Sequence, residues 1–135
     1  MKTYYAVIDT NVLVSALLSR NMASPTVAIL NLILDGTIMP VYNDEILSEY
    51  TEVLSRGKFH FSPEQIDAAL GAIRSGICID RTTTDWVFPN KDDIVFYEVA
   101  LSFEQAYLVT GNTRHFPPIS KVVTPVEMLQ IVHSN

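Results

Sequence analysis

The stretch AVIDTNVLVSALL, residues 6–18, decides how the rest of the chain is read. An apolar run stops on three polar residues, Asp9, Thr10 and Asn11, and resumes at Val12. A buried strand has no use for Asp-Thr-Asn, whereas a site at the end of a buried strand does. TYYAVID (3–9) reads as that strand, and Asn11 to about Leu18 as a short helix. Asp, Thr and Asn are also good helix caps. The triplet alone therefore leaves a cap and a site both open.

Outward from this point the pattern alternates strand and helix. Ser24-Pro25 reads as a capped helix start, and that helix runs to Gly36. TIMPVY (37–42) is a second strand, with Pro40 expected at an edge or irregular position. Asn43 caps a helix over DEILSEYTEVL that ends near Gly57. Ser62 and Gln65 stand at capping-box spacing before a helix to about Arg74. ICID (77–80) is a third strand, Lys91 to Phe103 a helix, AYLVT (106–110) a fourth strand and Lys121–Val123 a short fifth. Thr124 and Glu127 repeat the capping-box spacing before the last helix. Helices between short apolar strands predict an α/β fold: a central, mostly parallel sheet of about five strands, covered on both faces. Sites in such sheets form at the carboxyl ends of strands, where Asp9 and Asn112 both fall.

Composition limits the alternatives. At 135 residues, 48% hydrophobic and 18% charged, residues 1–135 read as one compact domain rather than a disordered chain. No apolar run is long enough for a membrane-spanning helix, and the start meets Asp9 too early for a signal peptide. A cytoplasmic, membrane-free protein is expected. The one cysteine, Cys78, agrees with a reducing compartment and is expected to be buried in packing. A net charge of −6 argues against a generic nucleic-acid binder. It is also what a pocket of clustered acids would give, with divalent cations offsetting part of it.

The positions of the acids matter more than their number. On the helix after Asn43, Ile46, Leu47, Tyr50, Val53 and Leu54 form an apolar stripe. Glu49 lies at its edge, while Glu45 and Glu52 point further out. Glu49 either reaches inward or snorkels to water. Asp92 and Asp93 open the next long helix, where the helix dipole alone would accommodate them. Phe96, Val99, Ala100 and Phe103 mark its buried face, and the pattern does not choose between the two acids. Gly111-Asn112 follows the fourth strand and is also an ordinary turn signal. Taken together, these are the places from which one carboxylate-lined pocket would be built. Such a pocket suits Mg²⁺ or Mn²⁺ rather than zinc, and through them phosphoryl chemistry.

At these residues the chain resembles PIN-domain proteins, and within them the toxin-like family related to the VapC toxins of bacterial toxin–antitoxin pairs. The resemblance is carried by VIDTNVLVSALL, EILSEYTEVL, KDDIVFYEVAL and AYLVTGNTRHF followed by TPVEML, in that order. It implies an α/β/α sandwich and a metal-binding cluster of Asp9, Glu49 and Asp93. Asp93 is chosen over Asp92 because the family pattern sets the acid just before a two-residue gap and an aromatic or Leu, here Phe96. Thr10 and Asn11 match the polar positions after the first Asp, and Thr110 the Ser/Thr before the last turn. Many PIN enzymes carry Asp where this chain has Asn112. A neutral carbonyl oxygen there can still orient water or coordinate weakly.

The resemblance implies a Mg²⁺- or Mn²⁺-dependent ribonuclease, with Asp9, Glu49, Asp93, Thr110 and Asn112 as its catalytic set and Asn11 and Arg114 facing RNA. His115 is an alternative to Arg114 at the RNA backbone. A cognate antitoxin and a homodimer are the implied protein partners. A PIN-fold binding module with weak or no catalysis is the competing reading, motivated by Asn112. An aspartyl-phosphate enzyme fits poorly, because Asn11 stands where a second Asp is needed; Asp80 could serve as a phospho-receiver's acceptor, yet the acidic pair such a receiver needs does not end the first strand. The purpose of WVFPN (86–90) is not legible from the sequence.

Overall fold

Tyr4–Ile8 forms β1, almost continuously buried, as the middle strand of a helix-covered parallel sheet must be. The computed structural model describes residues 2–134. With β1 stand β2 (Ile38–Tyr42), β3 (Ile77–Cys78), β4 (Ala106–Val109) and β5 (Val122–Val123), all parallel and in the order β3-β2-β1-β4-β5. Six helices flank the sheet: α1 (Thr10–Leu18), α2 (Pro25–Leu34), α3 (Asp44–Leu54), α4 (Pro63–Arg74), α5 (Ile94–Ser102) and α6 (Pro125–His133). The result is the expected α/β/α arrangement. No helix among the described residues is long and apolar enough to cross a membrane.

The topology locates the site. From β1 the sheet grows one way through β2 and β3. The chain then returns to the other side of β1 as β4 and β5. Strand order therefore reverses between β1 and β4, and a crevice opens at their carboxyl ends. Ile8 pairs with Val109 at that end, and the Asp9 N–H donates to the Val109 carbonyl at 2.9 Å.

Local chemistry explains most boundaries. The Asn43 side chain accepts the Ile46 N–H at 2.9 Å, and both capping boxes close, Ser62 with Gln65 and Thr124 with Glu127. Ser24 departs from expectation: it closes no cap, and its hydroxyl pairs with Thr26 Oγ1 at 3.1 Å. The core beneath the site is built from Tyr50, Phe96, Ile8, Leu13 and Leu108, all fully buried, with the Tyr50 and Phe96 rings 6.2 Å apart.

Three expectations need correction. Pro40 is on an inner strand, since β2 lies between β1 and β3. The Tyr42 carbonyl accepts from Ile79 on the β3 side, so by the two-residue period Pro40 faces that side too. Pairing there starts only at Val41 with Ile77, so the missing N–H breaks no ladder bond. Cys78 is exposed, because β3 is an edge strand of two residues instead of the expected ICID. The helix expected over 91–103 begins as a 3₁₀ turn, Lys91–Asp93, with the Asn90 side chain accepting the Asp92 N–H at 3.0 Å. In α5 all six residues from Val95 to Ala100 are buried, including Glu98.

Glu98 anchors the irregular segment between β3 and α5. One oxygen accepts the Thr84 N–H at 2.6 Å, and the other lies 3.3 Å from Arg81. The Thr82 N–H donates to Ser102 Oγ at 2.6 Å. Further along, Phe88 is buried against Tyr97 and Phe116, at ring separations of 5.6 and 5.8 Å.

The approach of β3 to β2 leaves no room for a side chain at Gly76. A Cβ there would stand 2.0 Å from the Pro40 carbonyl oxygen, a backbone atom that cannot rotate away. Gly76→Ala is expected to cost about 2 kcal/mol. It should lower the urea midpoint without changing the slope. An unchanged midpoint would show that this edge yields freely.

Candidate active site

Asp9 sits where β1 turns into α1 and is only 5% exposed. Its carboxylate closes no capping bond to α1. Instead Oδ2 accepts from the Thr110 hydroxyl at 2.7 Å, across the crevice between β1 and β4. Thr110 is fully buried, and its Oγ1 accepts in turn from the Asn112 N–H at 3.0 Å. Burial pushes the Asp9 carboxyl above its ordinary pKa. The Thr110 hydroxyl, the nearby amides of Asn11 and Thr10, and His115 pull it part of the way back.

The next residue reaches the second acid. The buried Thr10 donates its hydroxyl to Glu49 Oε2 on α3. Glu49 is half-buried, so of its two sequence readings the inward one holds. Its pKa is raised, first by burial and then by the charges of Asp92, Asp9 and Asp93, against the Thr10 bond. Beside it, the Tyr50 hydroxyl donates to the Ile8 carbonyl, the last of β1. Burial, with Asp9 and Glu49 nearby, holds the phenol well above its usual pKa, so Tyr50 remains a donor.

The third acid closes the 3₁₀ turn before α5. Asp93 is half-buried while Asp92 is exposed, which separates the two that periodicity left equivalent. Asp93 Oδ2 is buried without a hydrogen-bond partner. His115 Nδ1 faces it at 3.4 Å, an ion-pair distance. Burial and then Asp9 raise the Asp93 pKa, and His115 opposes them.

Asp9, Glu49, Asp93 and Thr110 are thus brought together at one end of the sheet. Asn112, Asn11 and Arg114 are exposed at its rim. Asn112 contributes its backbone N–H, and its side chain bonds to none of the acids among the described residues. Two participants were not legible as such. Tyr50 looked like part of an apolar stripe, and His115 like an RNA contact only. Away from this rim, Arg56 is held by Glu52 at 2.8 Å and Lys58 lies over the Phe59 ring.

Chemically this is a set of hard oxygen donors, crowded enough that Asp9 raises the pKa of both Glu49 and Asp93, with one buried carboxylate oxygen of Asp93 faced only by His115. That donor set suits Mg²⁺ or Mn²⁺. Among the described residues no three His, Cys, Asp or Glu side chains are placed to hold a metal ion; it is the chemistry of the donors that matches such an ion.

The raised carboxyls make a prediction about stability. An acid whose pKa is higher folded than unfolded favours folding while protonated. That contribution is full below the unfolded pKa and lost as pH rises through the folded one. Asp9, Glu49 and Asp93 therefore cost stability at neutral pH. In chelator, Asp9→Asn is expected to raise the neutral-pH Tm by a few degrees. The gain should shrink as pH falls into the carboxylate range. Scanning calorimetry across pH reads this directly, and a lowered neutral Tm would contradict it.

The model of the PIN domain family matches residues 5–114, a span that contains all of these groups except His115. Comparison with curated proteins returns no match. Comparison with solved structures returns none either. PIN domains are generally metal-dependent nucleases. On the extent of this match, across the sheet, the acids and the β4 turn, the chain belongs to the PIN-domain family.

Proposed function

We propose that this chain is a Mg²⁺- or Mn²⁺-dependent endoribonuclease, the toxin component of a toxin–antitoxin pair. One observation carries the nuclease reading: acids from three separate elements converge where strand order reverses, and a buried oxygen of Asp93 has no hydrogen-bond partner. The toxin assignment rests on the resemblance of the chain's motifs to VapC-like proteins. A cognate antitoxin, a homodimer and a cytoplasmic setting go with it.

In this reading Asp9, Glu49 and Asp93 hold the cation. When bound, it would neutralise the scissile phosphate and lower the pKa of water. The Thr110 and Thr10 hydroxyls fix which carboxylate oxygens of Asp9 and Glu49 remain for binding. Tyr50 ties α3 to the end of β1, so that Glu49 and Asp9 keep their relative placement. Asn112 helps to position water through its amide, and Asn11 and Arg114 at the rim contact the RNA backbone. A net charge of −6 makes RNA affinity weak without the cation.

The test is Mn²⁺ calorimetry on wild type and Asp9→Asn, with cleavage of a mixed RNA pool by the same samples. Wild type should bind and cut, and Asp9→Asn should do neither. Thr110→Val keeps the side-chain volume but removes the hydroxyl, and should lower cleavage roughly ten- to hundredfold. Mn²⁺ binding unaltered by Asp9→Asn would sink the reading. A second reading, a PIN-fold binding module, draws on the exposed Asn112 side chain. It is favoured if Mn²⁺ binds through Asp9 but no RNA is cut, and Asn112→Asp does not bring cleavage.

A further inference from the structure

Beside the acids, around the 3₁₀ turn Thr113–His115, lies a cleft of about 430 Å³ lined by Trp86, Arg114, Phe116, Pro117, Pro118 and Ile119. We propose that this cleft is a base-stacking subsite, in which an unpaired RNA base lies on the Trp86 indole while Arg114 meets its phosphate. The proposal deepens the nuclease reading and rests on it.

Trp86 is 46% exposed and its neighbour Val87 is 88% exposed, yet the segment carrying them is not loose. Two residues before Trp86, the Thr84 N–H is held by Glu98; two residues after it, Phe88 is packed under Tyr97 and Phe116. The chain fixes its only tryptophan in place between two anchors and leaves it facing solvent. An exposed, immobilised indole is a flat apolar surface whose ordering cost is already met. It shares its cleft with one cation, Arg114, in a chain of net charge −6. A flat apolar face beside a single positive charge complements a nucleobase with its phosphate. Position supports the same occupant. Arg114 is next in sequence to His115, whose Nδ1 is 3.4 Å from Asp93 Oδ2, so the residue after the cleft's cation touches the acids. Only an unpaired base can offer its face to the indole, so single-stranded RNA is the substrate class.

Because Trp86 is the only tryptophan, its fluorescence reports on the cleft alone. The full chain, at low ionic strength and at concentrations high enough to reach weak binding, is titrated with a short, fluorescently labelled oligoadenylate in chelator, so that nothing is cut, while Trp86 emission and RNA anisotropy are followed together. Saturable quenching is expected. By anisotropy, Trp86→Ala should weaken binding about tenfold, and Trp86→Phe should restore most of it. Arg114→Ala should weaken binding and flatten its salt dependence. In Mn²⁺, Trp86→Ala should raise KM for single-stranded RNA more than it lowers kcat.

RNA binding without quenching, or equal affinity in Trp86→Ala, overturns the subsite while leaving the nuclease reading intact. Failure of the nuclease reading shows separately, as absence of cleavage by wild type. If oligoadenylate does not bind and Trp86 emission instead responds to a protein partner, the cleft is a protein-docking surface and the proposal is wrong. Far-UV circular dichroism on each variant excludes misfolding as the cause.

Discussion

A carboxylate buried at the carboxyl end of an apolar parallel strand needs a partner, and for Asp9 that partner is the hydroxyl of Thr110. The bond crosses the point where strand order reverses, joining the ends of β1 and β4. Much of the site is arranged around it. The same hydroxyl takes the Asn112 amide and so fixes the turn that leads to Arg114 and His115. The residue after Asp9 reaches across to Glu49, and the residue before it accepts from Tyr50. Three consecutive positions, Ile8, Asp9 and Thr10, therefore carry contacts to α3 and to β4's end. A one-residue slip of β1 would lose them all.

Electrostatically the site is held against its own interest. Burial raises the pKa of Asp9, Glu49 and Asp93, and their mutual repulsion adds to the effect on Glu49 and Asp93. Two threonine hydroxyls and a facing histidine offset part of this. Partly satisfied buried charge is what a fold retains when the charge has work beyond stability. Glu98 shows the contrast. It is as buried as Asp9, but it is bonded on both oxygens, by Thr84 and Arg81, and serves to pin a segment.

Legibility in the sequence followed the physics of each feature. The alternation of strand and helix was readable because apolar periodicity and caps such as Asn43, Ser62 and Thr124 are local signals. Asp9 was readable because a polar triplet interrupts an apolar run. Glu49 and Asp93 could be placed at an edge but not assigned, since one helix face says nothing of what opposes it. Pro40 and Cys78 were misplaced because both depend on the length of β3, which ends after two residues. The contacts of Tyr50 and His115 at the site, and that of Glu98 in the segment before α5, are not legible because their partners lie far away in the chain, at Ile8, Asp93 and Thr84. Trp86 was open for a related reason. Its exposure follows from anchors on either side, and those anchors are tertiary contacts.

The central claim is that Asp9, Glu49 and Asp93 together hold divalent metal at the reversal point. The most direct measurement is anomalous X-ray scattering from crystals of the full chain equilibrated with Mn²⁺. The account predicts an anomalous peak within coordination reach of the Asp9 and Asp93 carboxylates, with Glu49 as a direct or water-bridged neighbour. It also predicts that the peak disappears in Asp9→Asn. A saturated crystal with no peak among these residues, or one whose only peak lies elsewhere, would contradict it.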